Sequence, residues 1–159
     1  MKPEPQQQHR WLEKLLGDWT YTSECNMGPD QPAMTVRGTE RVRSVGGLWT
    51  IAEGTGGSGD DAWTSVMTLG YDPSAGRFVG TFIASVMTFL WVYSGGSLDQ
   101  GTGALTLDAD GPAFSGEGMA KYQDVIAFIS DDHRTLTSRV LGPDGTWHQF
   151  MQAHYHRSM

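Results

Sequence analysis

Cysteine is nearly absent: the one thiol, Cys25, cannot close a disulfide within the chain, so no internal covalent cross-link holds the fold. Positive charge is scarce as well. Eleven Lys and Arg stand against eighteen Asp and Glu, a formal charge of -7, and that field repels phosphate backbones and anionic lipid surfaces. Neither nucleic acid nor a membrane is an expected partner. The opening residues lack the apolar stretch of a secretory signal, which leads to the expectation of a cytoplasmic protein. Also missing are a Gly-x-Ser-x-Gly elbow, a His-Glu-x-x-His helix and paired cysteines, so no familiar catalytic motif presents itself.

What is present is mostly period-two patterning. Residues 1–8 are rich in Pro and Gln and read as a disordered tail, and residues 9–159 read as a single domain. At its start, His9 to Leu16 places Trp11, Leu12, Leu15 and Leu16 on one face of a short helix that Gly17 ends. Beyond it, turn signals such as Gly28-Pro29-Asp30, Gly46-Gly47, Asp72 to Gly76, Asp110-Gly111-Pro112 and Gly142 to Gly145 cut the chain into strand-length segments, about nine or ten of them. No helical pattern remains to carry parallel crossovers. The expectation is an all-β fold, an antiparallel up-and-down barrel with one short N-terminal helix. The uncharged run from Phe78 to Leu98 is long enough to raise a membrane span, but Gly80, Gly95 and Gly96 and its aromatic and β-branched content suit two adjacent buried strands better.

Side chains alternate between the two faces of a strand. Taking Trp19 as inward puts Tyr21, Ser23, Cys25 and Met27 inside with it. On the last strand Arg157 shares a face with Tyr155, Ala153, Met151, Gln149 and Trp147, the better interior candidates, and leaves Phe150, His148, His154 and His156 on the other.

Three local patterns invite chemistry. Gly54-Thr55-Gly56-Gly57-Ser58-Gly59 matches the dinucleotide fingerprint in letters, but Asp60-Asp61 and another strand follow where a helix should begin, so it reads as a hairpin loop and no cofactor is expected. His154 and His156 have a spacing that zinc can use, although no third clustered ligand completes the set, and solvated surface histidines are the simpler reading. Glu53 and Glu40 are the candidate catalytic carboxylates. Facing an apolar interior, either would titrate high and could act as acid or base, whereas Glu53 facing solvent is an ordinary strand residue.

A collective signal is stronger. Met27, Met34, Met67, Met87, Met119 and Met151 recur beside Trp49, Trp63, Trp91 and Trp147, as in an adaptable apolar site or in a packed core. The ligand-contact candidates are Tyr21, Met27, Trp49, Trp63, Met67, Trp91, Tyr122, Gln149 and Met151, with Tyr21, Glu53, Tyr122 and Gln149 as orienting polar groups. A true site should leave roughly 300 Å³ or more unfilled.

Gly17-Asp18-Trp19 near the front and Tyr155-His156-Arg157 at the end resemble the closure signature of calycins, the lipocalin and fatty-acid-binding-protein type of barrel. That resemblance implies that Gly17, Trp19 and Arg157 close one end, the guanidinium packing on the indole. With Val45-Gly46-Gly47-Leu48-Trp49, Gly70-Tyr71-Asp72, Val79-Gly80-Thr81-Phe82 and Trp147 to Met151 added, the chain is similar to a bacterial family of domains of unknown function regarded as calycin-like. The family supplies no substrate.

The leading expectation is a barrel that binds a small, mostly apolar ligand. The alternatives are a metal-independent acid-base enzyme using the same cavity and a homodimeric interaction module. A homodimer is expected because Phe78 to Leu98 carries apolar residues at both parities, unless a bulge near Ser85 switches them.

Overall fold

A computed structural model describes residues 2–26 and 32–158. Met27 and the Gly28-Pro29-Asp30 turn lie outside the described residues. Helix α1 (Gln7–Leu12) runs into a 3₁₀ turn at Glu13–Leu15. Ten strands follow among the described residues: β1 (Gly17–Cys25), β2 (Met34–Val45), β3 (Trp49–Gly56), β4 (Trp63–Asp72), β5 (Arg77–Ala84), β6 (Trp91–Leu98), β7 (Leu105–Pro112), β8 (Met119–Ser130), β9 (His133–Leu141) and β10 (Trp147–Arg157). Each is antiparallel to its sequence neighbours, and β1 pairs with β10 to close the barrel.

The helix begins two residues before His9, because the His9 ring serves its start: Nδ1 accepts from the Gln6 backbone N–H at 2.9 Å, and Nε2 lies 3.1 Å from the Tyr71 carbonyl. This places a polar ring in the buried set. The expected apolar face is the one that docks. Leu12 and Leu15 are buried, each worth about 1.5–3 kcal/mol, and Trp11 packs edge-on against Phe78 and Phe128 while its Nε1 donates to the Gly103 carbonyl. The helix plugs the end of the barrel that carries the tight turns after β2, β4, β6 and β8.

Trp19 is fully buried beside this plug, and its Nε1 donates to the Leu15 carbonyl at 2.8 Å. Arg157 lies 4.2 Å from the indole centroid and donates to the carbonyls of Leu16, Lys14 and Asp131, tying the helix exit to both the first and last strands. Gly17 has φ of 119°, and a Cβ there would sit 2.8 Å from Arg157 Nη1, so the left-handed backbone and the close approach both call for glycine.

The Phe78 to Leu98 run resolves into β5, a non-strand segment over residues 85–90, and β6. Parity switches across that segment, with Phe78 and Phe82 inside on β5 and Trp91 and Tyr93 inside on β6. The switch comes from strand, loop and strand rather than from a bulge at Ser85, whose backbone N–H still bonds the Thr64 carbonyl. Ile83, Val86, Leu90 and Val92 remain exposed. The β5–β6 ladder is short, with paired positions only at Gly80↔Tyr93, Thr81↔Val92 and Phe82↔Trp91. Among the described residues no helix is long and apolar enough to cross a membrane.

Candidate functional site

The barrel interior is not filled. Above the helix plug it holds a cavity of about 240 Å³, walled mainly by apolar side chains. This is below the roughly 300 Å³ expected of a site for a drug-sized molecule and leaves room for a smaller one. Tyr21, Trp63, Met67, Trp91, Tyr122 and Met151 all line it. The far end is ringed by aromatics. Trp91 meets Tyr122 edge-on at 4.9 Å, and Phe114 meets Phe150 at 4.9 Å.

Three expected contacts are corrected. Trp49 points outward and is 44% exposed; it pairs with Gly70, and its ring lies across that glycine, where a Cβ would come within 2.3 Å of it. Gln149 is exposed because β10 carries a bulge between Gln149 and Met151. Tyr155, Ala153 and Met151 face inward as expected, but the extra residue turns Phe150 to the cavity and puts Gln149 and Trp147 outside. Glu53 faces solvent and lies 3.7 Å from Arg43, so the apolar setting that would make it an acid or base is missing. Met34 and Met119 are also exposed, 61% each.

Glu40 does face inward, where it forms an ion pair with Arg134 that is nearly sealed from solvent. The Arg134 guanidinium stacks 3.9 Å from the Tyr155 centroid and 4.6 Å from that of Trp19, while its Nε has no hydrogen-bond partner among the described residues. Tyr21 donates to the Thr55 carbonyl, and desolvation followed by the Glu40 charge pushes its phenol up to about 12. Burial, with Glu40 next, holds the Tyr155 phenol well above the ordinary range, and burial raises that of Tyr122, whose hydroxyl donates to the Pro112 carbonyl.

Sequence reasoning missed a second buried carboxyl. Asp124 accepts hydrogen bonds from the Tyr93 hydroxyl and the Ser138 hydroxyl, both at 2.6 Å. Desolvation raises its pKa, and the two hydrogen bonds only partly offset that rise. Its parity offered a signal, because Tyr122, Asp124 and Ile126 alternate on one face of β8.

The glycine run from Gly54 closes β3 and leads through a 3₁₀ turn at Gly59–Asp61 into β4, not into an α-helix that could receive a pyrophosphate. His154 and His156 lie on the outer face with a third imidazole that sequence spacing did not reveal. His133 Nε2 is 2.9 Å from His154 Nδ1, and the His133 ring stacks on His156 at 4.2 Å. Among the described residues no set of three His, Cys, Asp or Glu has a geometry suited to a metal ion.

A model of the family described as a protein of unknown function, DUF1579, matches residues 4–157. The chain belongs to the DUF1579 family. No curated protein matches it. Among solved structures, the DUF1579 chain is similar to Rv2717c from M. tuberculosis, at 12% identity and a TM-score of 0.62 over 98% of this chain and all of that one. It also matches a redesigned beta barrel, b11L5F_LGL, at 13% identity and a TM-score of 0.46, covering 94% of this chain and 96% of that one. A third match, EF1p2_mFAP2b bound to DFHBI, has 16% identity and a TM-score of 0.45, with 94% and 98% covered. Rv2717c supports the calycin-like barrel as a fold and nothing about chemistry.

Proposed function

We propose that the protein binds a small, mostly apolar molecule inside its barrel. The observation that carries this reading is the unfilled cavity of about 240 Å³, since a barrel stabilised only by packing gains by filling such a space. Methionine and indole walls favour an apolar body, and the tyrosines, Asp124 and the Glu40–Arg134 pair supply polar groups on its surface. The acid-base alternative has less support, because Glu53 faces solvent and Glu40 is engaged by Arg134.

Trp63 and Trp91 in the wall make the test direct. Titration with apolar fluorescent probes should quench Trp emission saturably, and native mass spectrometry of protein purified from its own host should show a retained mass. Linear, unsaturable quenching together with apo mass alone would end this reading. A second reading, self-association into a homodimer, is favoured by the exposed Ile83, Val86, Leu90 and Val92 around β5 and β6. Sedimentation at micromolar concentration tests it, and a monomer throughout would remove it.

A further inference from the structure

The charged groups in the cavity wall do not balance. Among the described residues they are Glu40, Asp124 and Arg134, two carboxyls against one guanidinium. Glu40 and Arg134 neutralise one another, and Arg134 is held in place by the Tyr155 and Trp19 rings. Asp124 therefore stands alone. Among the described residues it has no cationic partner, only the neutral hydroxyls of Tyr93 and Ser138. Although it lies deep in the barrel it keeps part of its surface accessible, and because it lines the cavity, that surface opens inward.

Buried carboxylates are ordinarily paired with a cation or protonated. Here the described residues supply no cation but leave space beside the carboxyl, and the cavity wall includes the aromatic rings of Trp91, Tyr93, Tyr122 and Phe150. Aromatic faces attract cations through their quadrupole, most strongly where water is excluded. Fatty carboxylates meet the opposite situation. Among the described residues of the wall the one guanidinium is already neutralised by Glu40, and an ionised Asp124 repels them.

From these juxtapositions we infer that the cavity selects a protonated amine on a small apolar or aromatic body, with Asp124 as its counter-charge. This rests on the ligand-binding reading above and names the chemical class of the ligand. Titratable groups bearing on Asp124 are Tyr93 on β6 and Tyr155 on β10, and Ser138 on β9 adds a neutral donor; the Glu40–Arg134 pair between β2 and β9 lines the same cavity. An ammonium beside Asp124 favours its ionised form. Where the carboxyl is protonated before binding, that proton leaves to solvent.

Three probes that share one ring system separate the possibilities: 1-naphthylmethylamine, 1-naphthalenemethanol and 1-naphthoate, titrated into the full chain by calorimetry at neutral pH. The amine should bind about tenfold or more tightly than the alcohol, and the carboxylate most weakly. Asp124→Asn, checked by circular dichroism for retained fold, should remove the preference for the amine and leave alcohol binding in place. Should that variant fail to fold, the same ranking on the unaltered protein decides, with amine affinity falling as pH drops toward protonation of Asp124. Equal binding of the amine and alcohol, or tightest binding of the carboxylate, overturns the inference and leaves an apolar site. Binding of none of the three overturns the ligand-binding reading with it.

Discussion

Replacing Arg157 with Lys isolates the closure of the barrel, because it keeps the charge and removes the planar fork. Arg157 uses that fork to donate to the carbonyls of Leu16, Lys14 and Asp131 and to the Asp132 carboxylate, while its carbon lies 4.2 Å from the Trp19 ring. Hydrogen bonds from a charged donor contribute about 1.5–3 kcal/mol each, and a cation on an indole about 0.5–1 kcal/mol. An ammonium at the same place can retain one or two of the carbonyl bonds, and the Arg157 side chain is 29% exposed, so water replaces part of the remainder. The expected loss is about 2 kcal/mol. In equilibrium urea unfolding, with a slope of about 2 kcal/mol per molar, the midpoint falls by about 1 M. Since lysine keeps the charge, a double-mutant cycle of Arg157→Gln with Trp19→Leu isolates the ring contact, and a coupling of about 0.5–1 kcal/mol is expected. A loss below about 0.5 kcal/mol for Arg157→Lys, or strict additivity in the cycle, would refute the assignment of Arg157 as the clasp on Trp19.

Gly38→Ala should destabilise by about 1–3 kcal/mol or more, because a Cβ there would lie 1.9 Å from the Thr55 carbonyl oxygen and 2.6 Å from the Tyr21 ring; a urea midpoint matching the wild type would contradict that packing. The folded-state pKa of Tyr21, about 12, lies above the unfolded value of 10.0, so its contribution is fully present below pH 10.0 and is lost as pH rises through about 12. Unfolding followed alongside tyrosinate absorbance should show the two rising together, and free ionisation at ordinary pH within the native fold would contradict burial. At His133 the shift has the other sign. Desolvation and the neighbouring His156 and His154 lower its pKa from 6.5, so stability is present above that value and falls as pH drops through the folded one. His133→Asn should flatten this acid limb in thermal unfolding curves, and an unchanged limb would place its cause elsewhere.

The closure and the plug were legible because each rests on local residue identity. Gly17, Trp19 and Arg157 occupy fixed places in a pattern, and Trp11, Leu12 and Leu15 declare a helical face. Strand parity placed Tyr21, Ser23, Tyr155, Ala153 and Met151 correctly for as long as the alternation held. It failed at Phe150, because a one-residue bulge changes every facing beyond it without changing composition. Trp49 misled for another reason: what makes an outward indole favourable is Gly70 on the adjacent strand, a neighbour known only once the register is known. Asp124 and Arg134 escaped the sequence reading because charged strand residues ordinarily face solvent, and only shared parity with Tyr122 and Ile126, or with Leu136 and Ser138, argues otherwise. The His133 contact with His154 and His156 needed the β9–β10 pairing, which no spacing in the chain announces.

The brevity of the β5–β6 ladder gives the cylinder a mechanical grain. Its three paired positions stand beside the seven that join β1 to β10 and the eight that join β4 to β5. A closed sheet under thermal strain parts first along its least stitched line, and the opening runs where the fewest backbone bonds must break together. Here that line passes Trp91 and Phe82, two of the cavity's own walls, and adjoins the non-strand residues 85–90. The barrel should therefore part along this side before the helix plug and the Trp19 clasp give way, at a fraction of the cost of global unfolding. Amides of β5 and β6 should accordingly exchange with deuterium ahead of those in β1, β9 and β10.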